Sequence, residues 1–383
     1  MNKEDKIKIL ALYLPQYHEI PENNLWWGNG FTEWVNVKKA KSIFPWQNLP
    51  DRPLNDNYYN LLDKATVKWQ TKLANDYGIY GFCYFHYYFK GKKLLEKPAE
   101  NLLRWKDINQ RFCFFWANVS WCRTWSAVKE ATTNWVVNGE EQYQKNSDGM
   151  LMEQVYGDKE DWEDHFKYLL PFFKDSRYIK KDNKPMFFIY RIDLIEHASE
   201  MFAVWNDLAQ KNGFDGVHIV SVNEEVPDVS GVEAIAHYGF ERVTKSDYIY
   251  SGKCWLNKQL HCLFRFLRGQ GWEYPFVFDY EKMWQMITKV KPYGNRPNYP
   301  GAFVGYDETP RKGYRSVCVK GKELTVFEKY MRKQLERTKN IYRSEYLLLD
   351  AWNEWGEGNY LEPDEKFEYG FLETLLKIQQ IEK

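Results

Sequence analysis

The chain has 383 residues, enough to bury a large core, and balances 53 Lys and Arg against 53 Asp and Glu. This neutrality, with no basic stripe, argues against a nucleic-acid partner. No apolar stretch approaches the about 18 residues of a membrane span, and the apolar segment after the charged N-terminus is too short for a signal peptide, so a cytoplasmic protein without a transmembrane segment is expected.

Eight short apolar runs punctuate the chain: residues 7–13, 79–86, 112–118, 186–190, 217–222, 233–238, 302–306 and 346–352. Most are continuous rather than alternating, the pattern of parallel strands buried on both faces. Between them lie amphipathic segments at helical spacing, at residues 64–77 (ending at Gly78, a good helix stop), 161–173, 323–342 and 367–381. Eight strands with intervening helices predict an α/β fold, a (β/α)8 TIM barrel, as a single catalytic domain over residues 1–383. Two long insertions, near 119–157 and 239–299, follow strands and so belong on the C-terminal rim. An open doubly wound sheet is the competing architecture.

Barrel enzymes build their sites from the loops after the strands. The first run ends in Tyr13, Gln16, Tyr17 and His18, the second in Phe85, His86, Tyr87 and Tyr88. The third leads to Asn118, Trp121, Arg123 and Trp125, the fourth to Tyr190, the fifth to Asn223, the sixth to His237 and Tyr238. The seventh precedes Asp307 and Arg311. Aromatic and hydrogen-bonding groups therefore end nearly every strand. Seventeen Trp, 28 Tyr and 24 Phe make 18% of the chain. Most of these rings fill a core, but so many also suit a cleft that stacks on sugar faces. The loop Trp26-Trp-Gly-Asn-Gly-Phe-Thr-Glu-Trp34 adds Trp26, Trp27, Trp34 and the carboxylate of Glu33 as candidate saccharide contacts.

The eighth run opens into Asn353-Glu-Trp-Gly-Glu-Gly358, which includes Trp355. Glycoside hydrolysis generally uses two carboxylates flanking the scissile bond. Glu354 and Glu357 are three residues apart and face one cleft if the chain turns helically. Crowding them beside Trp352 and Trp355 should raise one pKa, leaving a protonated acid next to an ionised partner. They are the catalytic candidates. The seven histidines show no metal-ligand spacing and the six cysteines no CxxC pair, so no metal, no cofactor and reduced thiols are expected.

These motifs carry a resemblance. With Tyr13-Leu-Pro-Gln-Tyr-His18, the 82–89 run, Trp116-Ala-Asn-Val-Ser-Trp-Cys-Arg-Thr-Trp125, His165-Phe-Lys-Tyr-Leu169, Asp175-Ser-Arg-Tyr-Ile179, Tyr299-Pro-Gly-Ala-Phe-Val-Gly-Tyr-Asp307 and Asn353-Glu-Trp-Gly-Glu-Gly-Asn-Tyr-Leu-Glu-Pro-Asp364, the chain resembles the WbsX-type proteins of bacterial surface-polysaccharide gene clusters. Those in turn look related to glycoside hydrolase family 99. The resemblance spans almost the whole chain, and Tyr306 and Glu308 depart from its usual Trp and Asn. It implies a barrel, a retaining mechanism on a glycosidic bond, Glu354 as base on the sugar 2-hydroxyl and Glu357 as general acid. It also adds Tyr360 and Glu362 to the substrate-binding candidates. The substrate expected is an oligosaccharide or polysaccharide of O-antigen, capsule or lipopolysaccharide metabolism. A glycosyltransferase and a non-catalytic glycan-binding barrel are the alternatives.

Overall fold

The computed structural model describes residues 6–122, 150–239 and 275–381, together with residues 259, 263, 266 and 267. Each of the eight predicted runs overlaps a strand: β1 (Lys8–Tyr13), β2 (Gly81–Phe89), β3 (Phe112–Trp116), β4 (Lys184–Ile189), β5 (His218–Val222), β6 (Val232–Ala236), β7 in two pieces (Asn298–Tyr299 and Gly301–Phe303) and β8 (Tyr346–Asp350). The β1 strand pairs with β2 and β8, and pairing continues from β2 through β3, β4 and β5 to β6, every ladder parallel.

The two pieces of β7 flank Pro300. A proline has no N–H to give a ladder, and the strand changes partner there. Before it, Asn298 and Tyr299 pair with β6; after it, Gly301 to Phe303 pair with β8. That switch completes the ring, and the fold is a (β/α)8 barrel.

Several predicted runs overreach their strands at the C-terminal end. Residues 117–118, 237–238 and 304–306 leave the ladder and enter rim loops, because the apolar pattern continues past the last paired residue. The seventh run also begins earlier than its composition suggests, because polar Asn298 is buried and paired.

The helices follow the predicted periodicity. Lys64–Asp76 starts where the Asp63 side chain accepts from the Ala65 N–H at 2.9 Å, and the chain leaves it through Gly78 at φ +78°. Lys159–Lys174 opens with a reciprocal cap between Asp158 and Asp161. Leu324–Asn340 and Gly370–Ile381 pack against each other outside the ring.

Of the two predicted insertions, residues 123–149 and most of 240–274 lie outside the described residues. The described ends of the first form a ribbon, Trp121–Cys122 against Met150–Met152. Phe276–Asp279, from the second, pairs in parallel with Val317–Lys320 and walls one side of the barrel mouth. Among the described residues no helix is long and apolar enough to cross a membrane.

Aromatic rings dominate the packing between β4 and its helices. Phe187 is fully buried and meets Trp205 edge-on at 5.4 Å, with His165 and Phe173 on its other sides. Removing this ring should cost about 3–5 kcal/mol, the range for Phe truncation in a core that cannot collapse. Urea titration of Phe187→Ala should show the loss as a lower midpoint at unchanged slope; a midpoint equal to wild type would mean that this contact set does not carry stability.

Candidate active site

The chain after β8 folds into a tight hairpin. Asn353–Glu354 pairs antiparallel with Asn359–Tyr360, and Trp355–Glu357 forms one 3-10 turn between them. Gly358 closes it at φ +58°, a left-handed conformation that favours glycine. The single turn brings Glu354 and Glu357 to one side, as their spacing predicted.

Two asparagines fasten this hairpin to the barrel. Asn353 accepts from the Leu14 N–H at 2.7 Å and donates to the Leu14 carbonyl at 3.1 Å. Asn359 accepts from the N–H groups of Val304 and Gly305 at 3.2 and 3.3 Å. The first tie holds the loop after β1 and the second the loop after β7.

Arg311 joins the elements of the site. Its Nε donates to Glu33 Oε1 at 2.7 Å, its Nη2 to Glu354 Oε2 at 2.8 Å, and its Nη1 to Glu357 Oε1. Glu33 opens the helix Glu33–Lys39 and is almost fully buried. Arg311 rides on the short helix Thr309–Lys312. Asp307 accepts from the Thr309 N–H at 2.9 Å, and Gln47 Nε2 donates to both Asp307 and Thr309, at 2.8 and 2.9 Å. The guanidinium is thereby aimed from behind.

One guanidinium cannot balance three ionised carboxylates in a buried site, so protons are retained. Burial raises the proton affinity of Glu354, Arg311 opposes it, and the charges of Glu357 and Glu33 add to it. Burial likewise raises Glu357, against Arg311 and with the help of Glu308. Two neighbouring carboxyls that both hold protons above the ordinary glutamate range can act as acid and base near neutral pH.

These groups line a cleft of about 640 Å3 at the C-terminal mouth of the barrel. Of the predicted contacts, Gln16, Trp27, Glu33 and Tyr87 line it, as do Trp121, Tyr190 and Arg311. Both catalytic candidates do so as well. Arg123 and Trp125 lie outside the described residues.

Twelve predicted contacts are placed behind the wall instead. Glu362 is the hub of these. Its Oε1 accepts from Gln70 Nε2 at 2.7 Å and Trp352 Nε1 at 2.9 Å, and its Oε2 from Tyr59 OH at 2.8 Å and Trp355 Nε1 at 2.7 Å. Tyr13 joins through Gln70 at 2.7 Å, and Tyr360 stacks on Trp355 at 3.7 Å. Trp34 packs on Trp355 and donates to the Tyr59 carbonyl. With Asn353, these residues support the hairpin from beneath.

Five of the remaining six serve the rim. His86 pairs with His165 through their Nε2 atoms at 2.8 Å. Asn118 ties Tyr156 and the Arg191 backbone together, and Asn223 accepts from the Tyr238 N–H. Asp307 holds the Arg311 helix. Trp26 meets Trp121 edge-on at 5.7 Å. His18 is also buried, and burial pushes its pKa down to about 4, so it is neutral at pH 7. Strand-end position alone could not separate these inward residues from those facing the cleft.

Other cleft residues went unassigned. Tyr306, Glu308 and Lys312 line one side beside Glu357, and Phe115 and Asp350 rise from within β3 and β8. The signal for Asp350 was its position as the last residue of a barrel strand. Tyr306 and Glu308 were marked only as departures from the family pattern. Among the described residues no three His, Cys, Asp or Glu side chains are grouped to hold a metal ion.

A family profile described as Glycosyltransferase WbsX matches residues 9–375. The chain belongs to the WbsX family. The uncharacterized protein WxcX of Xanthomonas campestris pv. campestris is 26% identical over 369 residues, in strain B100 and in strain ATCC 33913 alike. The match covers 96% of this chain and 48% of WxcX, so the chain spans about half the length of the curated relatives it matches. A structure of the GH99 endo-alpha-mannosidase from Bacteroides thetaiotaomicron superposes at TM-score 0.56 with 12% identity, covering 99% of this chain and 97% of that one. A glycoside hydrolase-like protein superposes equally well, at TM-score 0.56 and 11% identity over 98% of this chain and 94% of its own. At such identity the likeness is one of fold.

Two outcomes test this geometry. A Cβ at Gly356 would stand 1.7 Å from Glu33 Oε1 and 2.8 Å from Arg311 Nε. Gly356→Ala should therefore displace Glu33 and lower stability by about 1–3 kcal/mol, read by chemical denaturation; an unchanged midpoint would refute the packing. Burial raises the Glu362 carboxyl to about 7 from an ordinary 4.5. A carboxyl raised in the folded state contributes stability that is present below its unfolded value and lost as pH climbs through the folded one. Wild type should thus lose stability relative to Glu362→Gln between about pH 4.5 and 7, and parallel pH profiles would contradict the raised value.

Proposed function

We propose that the chain is a retaining glycoside hydrolase or transglycosidase of bacterial surface-polysaccharide metabolism, with Glu354 as base and Glu357 as general acid. One observation carries the reading: two carboxyls of raised proton affinity sit on one hairpin, share one guanidinium and face an aromatic cleft. Rings such as Trp27, Tyr87 and Trp121 offer flat apolar faces to sugars.

In the mechanism that family 99 resemblance implies, Glu354 takes the proton of the sugar 2-hydroxyl as the 2-oxygen attacks C1. The bond from C1 to the glycosidic oxygen breaks, and Glu357 gives that oxygen its proton. A 1,2-anhydro sugar results. Water, or a sugar hydroxyl in transfer, then attacks C1, losing its proton to Glu357 while Glu354 returns a proton to the 2-oxygen. Retention follows from two inversions at C1.

Burial raises both carboxyls and Arg311 opposes both. The two carboxyls titrate as a pair. The proposed roles require the form with Glu354 ionised and Glu357 protonated. The WbsX family description favours a second reading, glycosyl transfer from an activated donor.

Glu354→Gln and Glu357→Gln should each lower turnover by about 10²–10⁴-fold, the usual contribution of a general acid or base. Wild-type rates from both would end the assignment. A bell-shaped profile of kcat/KM is expected, with its acid limb above the ordinary glutamate value of about 4.3 because burial raises both carboxyls. An acid limb near pH 3 would oppose it. Product that forms only with a sugar nucleotide, with no cleavage of α-glycosides, would favour transfer.

A further inference from the structure

Five carboxylates line the cleft: Glu33, Glu308, Asp350, Glu354 and Glu357. Among the described residues only two cations, Arg311 and Lys312, line it with them. Fully ionised, the lining carries a formal excess of three negative charges. Protons retained on Glu354 and Glu357 reduce this excess.

Both cations are already engaged. The Arg311 guanidinium spends its Nε, Nη1 and Nη2 on three different carboxylates. Lys312 Nζ is paired with Glu308 Oε1, which also accepts from Tyr306 OH at 2.9 Å. The other Glu308 oxygen takes the Val317 N–H at 3.2 Å, so this carboxylate is fixed beside the cleft. Among the described residues an incoming anion meets more carboxylates than cations and must break an existing ion pair to find a partner. An ammonium meets attraction, and an uncharged sugar meets the rings. Charges of like sign brought together cost affinity, the more so where water is displaced.

We propose that this cleft accepts uncharged and amino-bearing saccharides and rejects anionic ones, so that a nucleotide-diphosphate sugar is not its donor. The inference rests on the cleft being the saccharide site, and it names the substrate class of that site. Transfer by this protein would then move a sugar from one glycan to another, as a transglycosidase does.

The test reads binding by the full chain. It is probed on an array of bacterial surface polysaccharides grouped as uncharged, amino-bearing and anionic (uronic acid or phosphate), and with UDP-glucose and GDP-mannose by thermal shift. Uncharged or amino-bearing glycans should bind at least tenfold more tightly than anionic ones, and the nucleotide sugars should leave the melting temperature unchanged. The preference should shrink between about 0.05 and 0.5 M salt, because screening acts on charge and not on shape. Glu308→Gln, which releases Lys312, should raise affinity for anionic glycans about fivefold. An anionic glycan binding as tightly as the best uncharged one, a nucleotide sugar that stabilises the protein, a preference indifferent to salt, or no binding by uncharged and amino-bearing glycans would each overturn the proposal. The catalytic reading fails separately, through the turnover of the Glu354 and Glu357 variants.

Discussion

The site is organised around a buried guanidinium that three carboxylates grip. Taking such charges out of water is expensive, and the arrangement persists only if each has good partners. Arg311 meets that condition by drawing Glu33 from the loop after β1, and Glu354 and Glu357 from the hairpin after β8, onto its own loop after β7. Those three strands are neighbours in the ring, with β8 between β1 and β7. Barrel closure through the split β7 is thus what brings the carboxylates within reach of one arginine. The same geometry gathers more carboxylates than cations on the described lining of the cleft.

Beneath this charged layer lies a second, uncharged-looking one that also centres on a carboxylate. Glu362 accepts from two indoles, a phenol and an amide. Four donors leave no outward-facing lone pair for a sugar. They give the Glu that follows the Glu354–Glu357 hairpin its place: it is the hairpin's floor. Trp355 and Tyr360, both expected as sugar contacts, stack on one another, and the Trp352 and Trp355 indoles both donate to that floor. The wall of the cleft comes from other rings, several of them from the loop after β1 and from β2 itself.

Sequence spacing and three-dimensional placement agree best where backbone geometry is local. Glu354 and Glu357 share a side because one 3-10 turn separates them, and glycines at 356 and 358 permit both the close approach of Glu33 and the left-handed exit. Agreement is weakest at strand ends. Asn118, Asn223 and Asp307 follow strands just as Tyr190 and Arg311 do, yet they spend their polar atoms on neighbouring loops. A buried polar side chain must find partners wherever it sits, and residue type alone does not say whether those partners are loops or ligands.

The sequence by itself determined the elements and their class. Eight mostly continuous apolar runs call for burial on both faces, and alternation with amphipathic helices leaves a parallel barrel as the simplest way to provide it. It also determined the pairing of Glu354 with Glu357, a matter of three residues of chain. Tertiary structure alone decided that Glu33 and Arg311 join that pair, since they lie 278 residues apart along the chain and meet only because β1 and β7 flank β8. It decided too which aromatic residues face the cleft and which hold the hairpin up. That choice depends on the tilt of each strand and the path of each rim loop, long-range quantities that local composition does not encode.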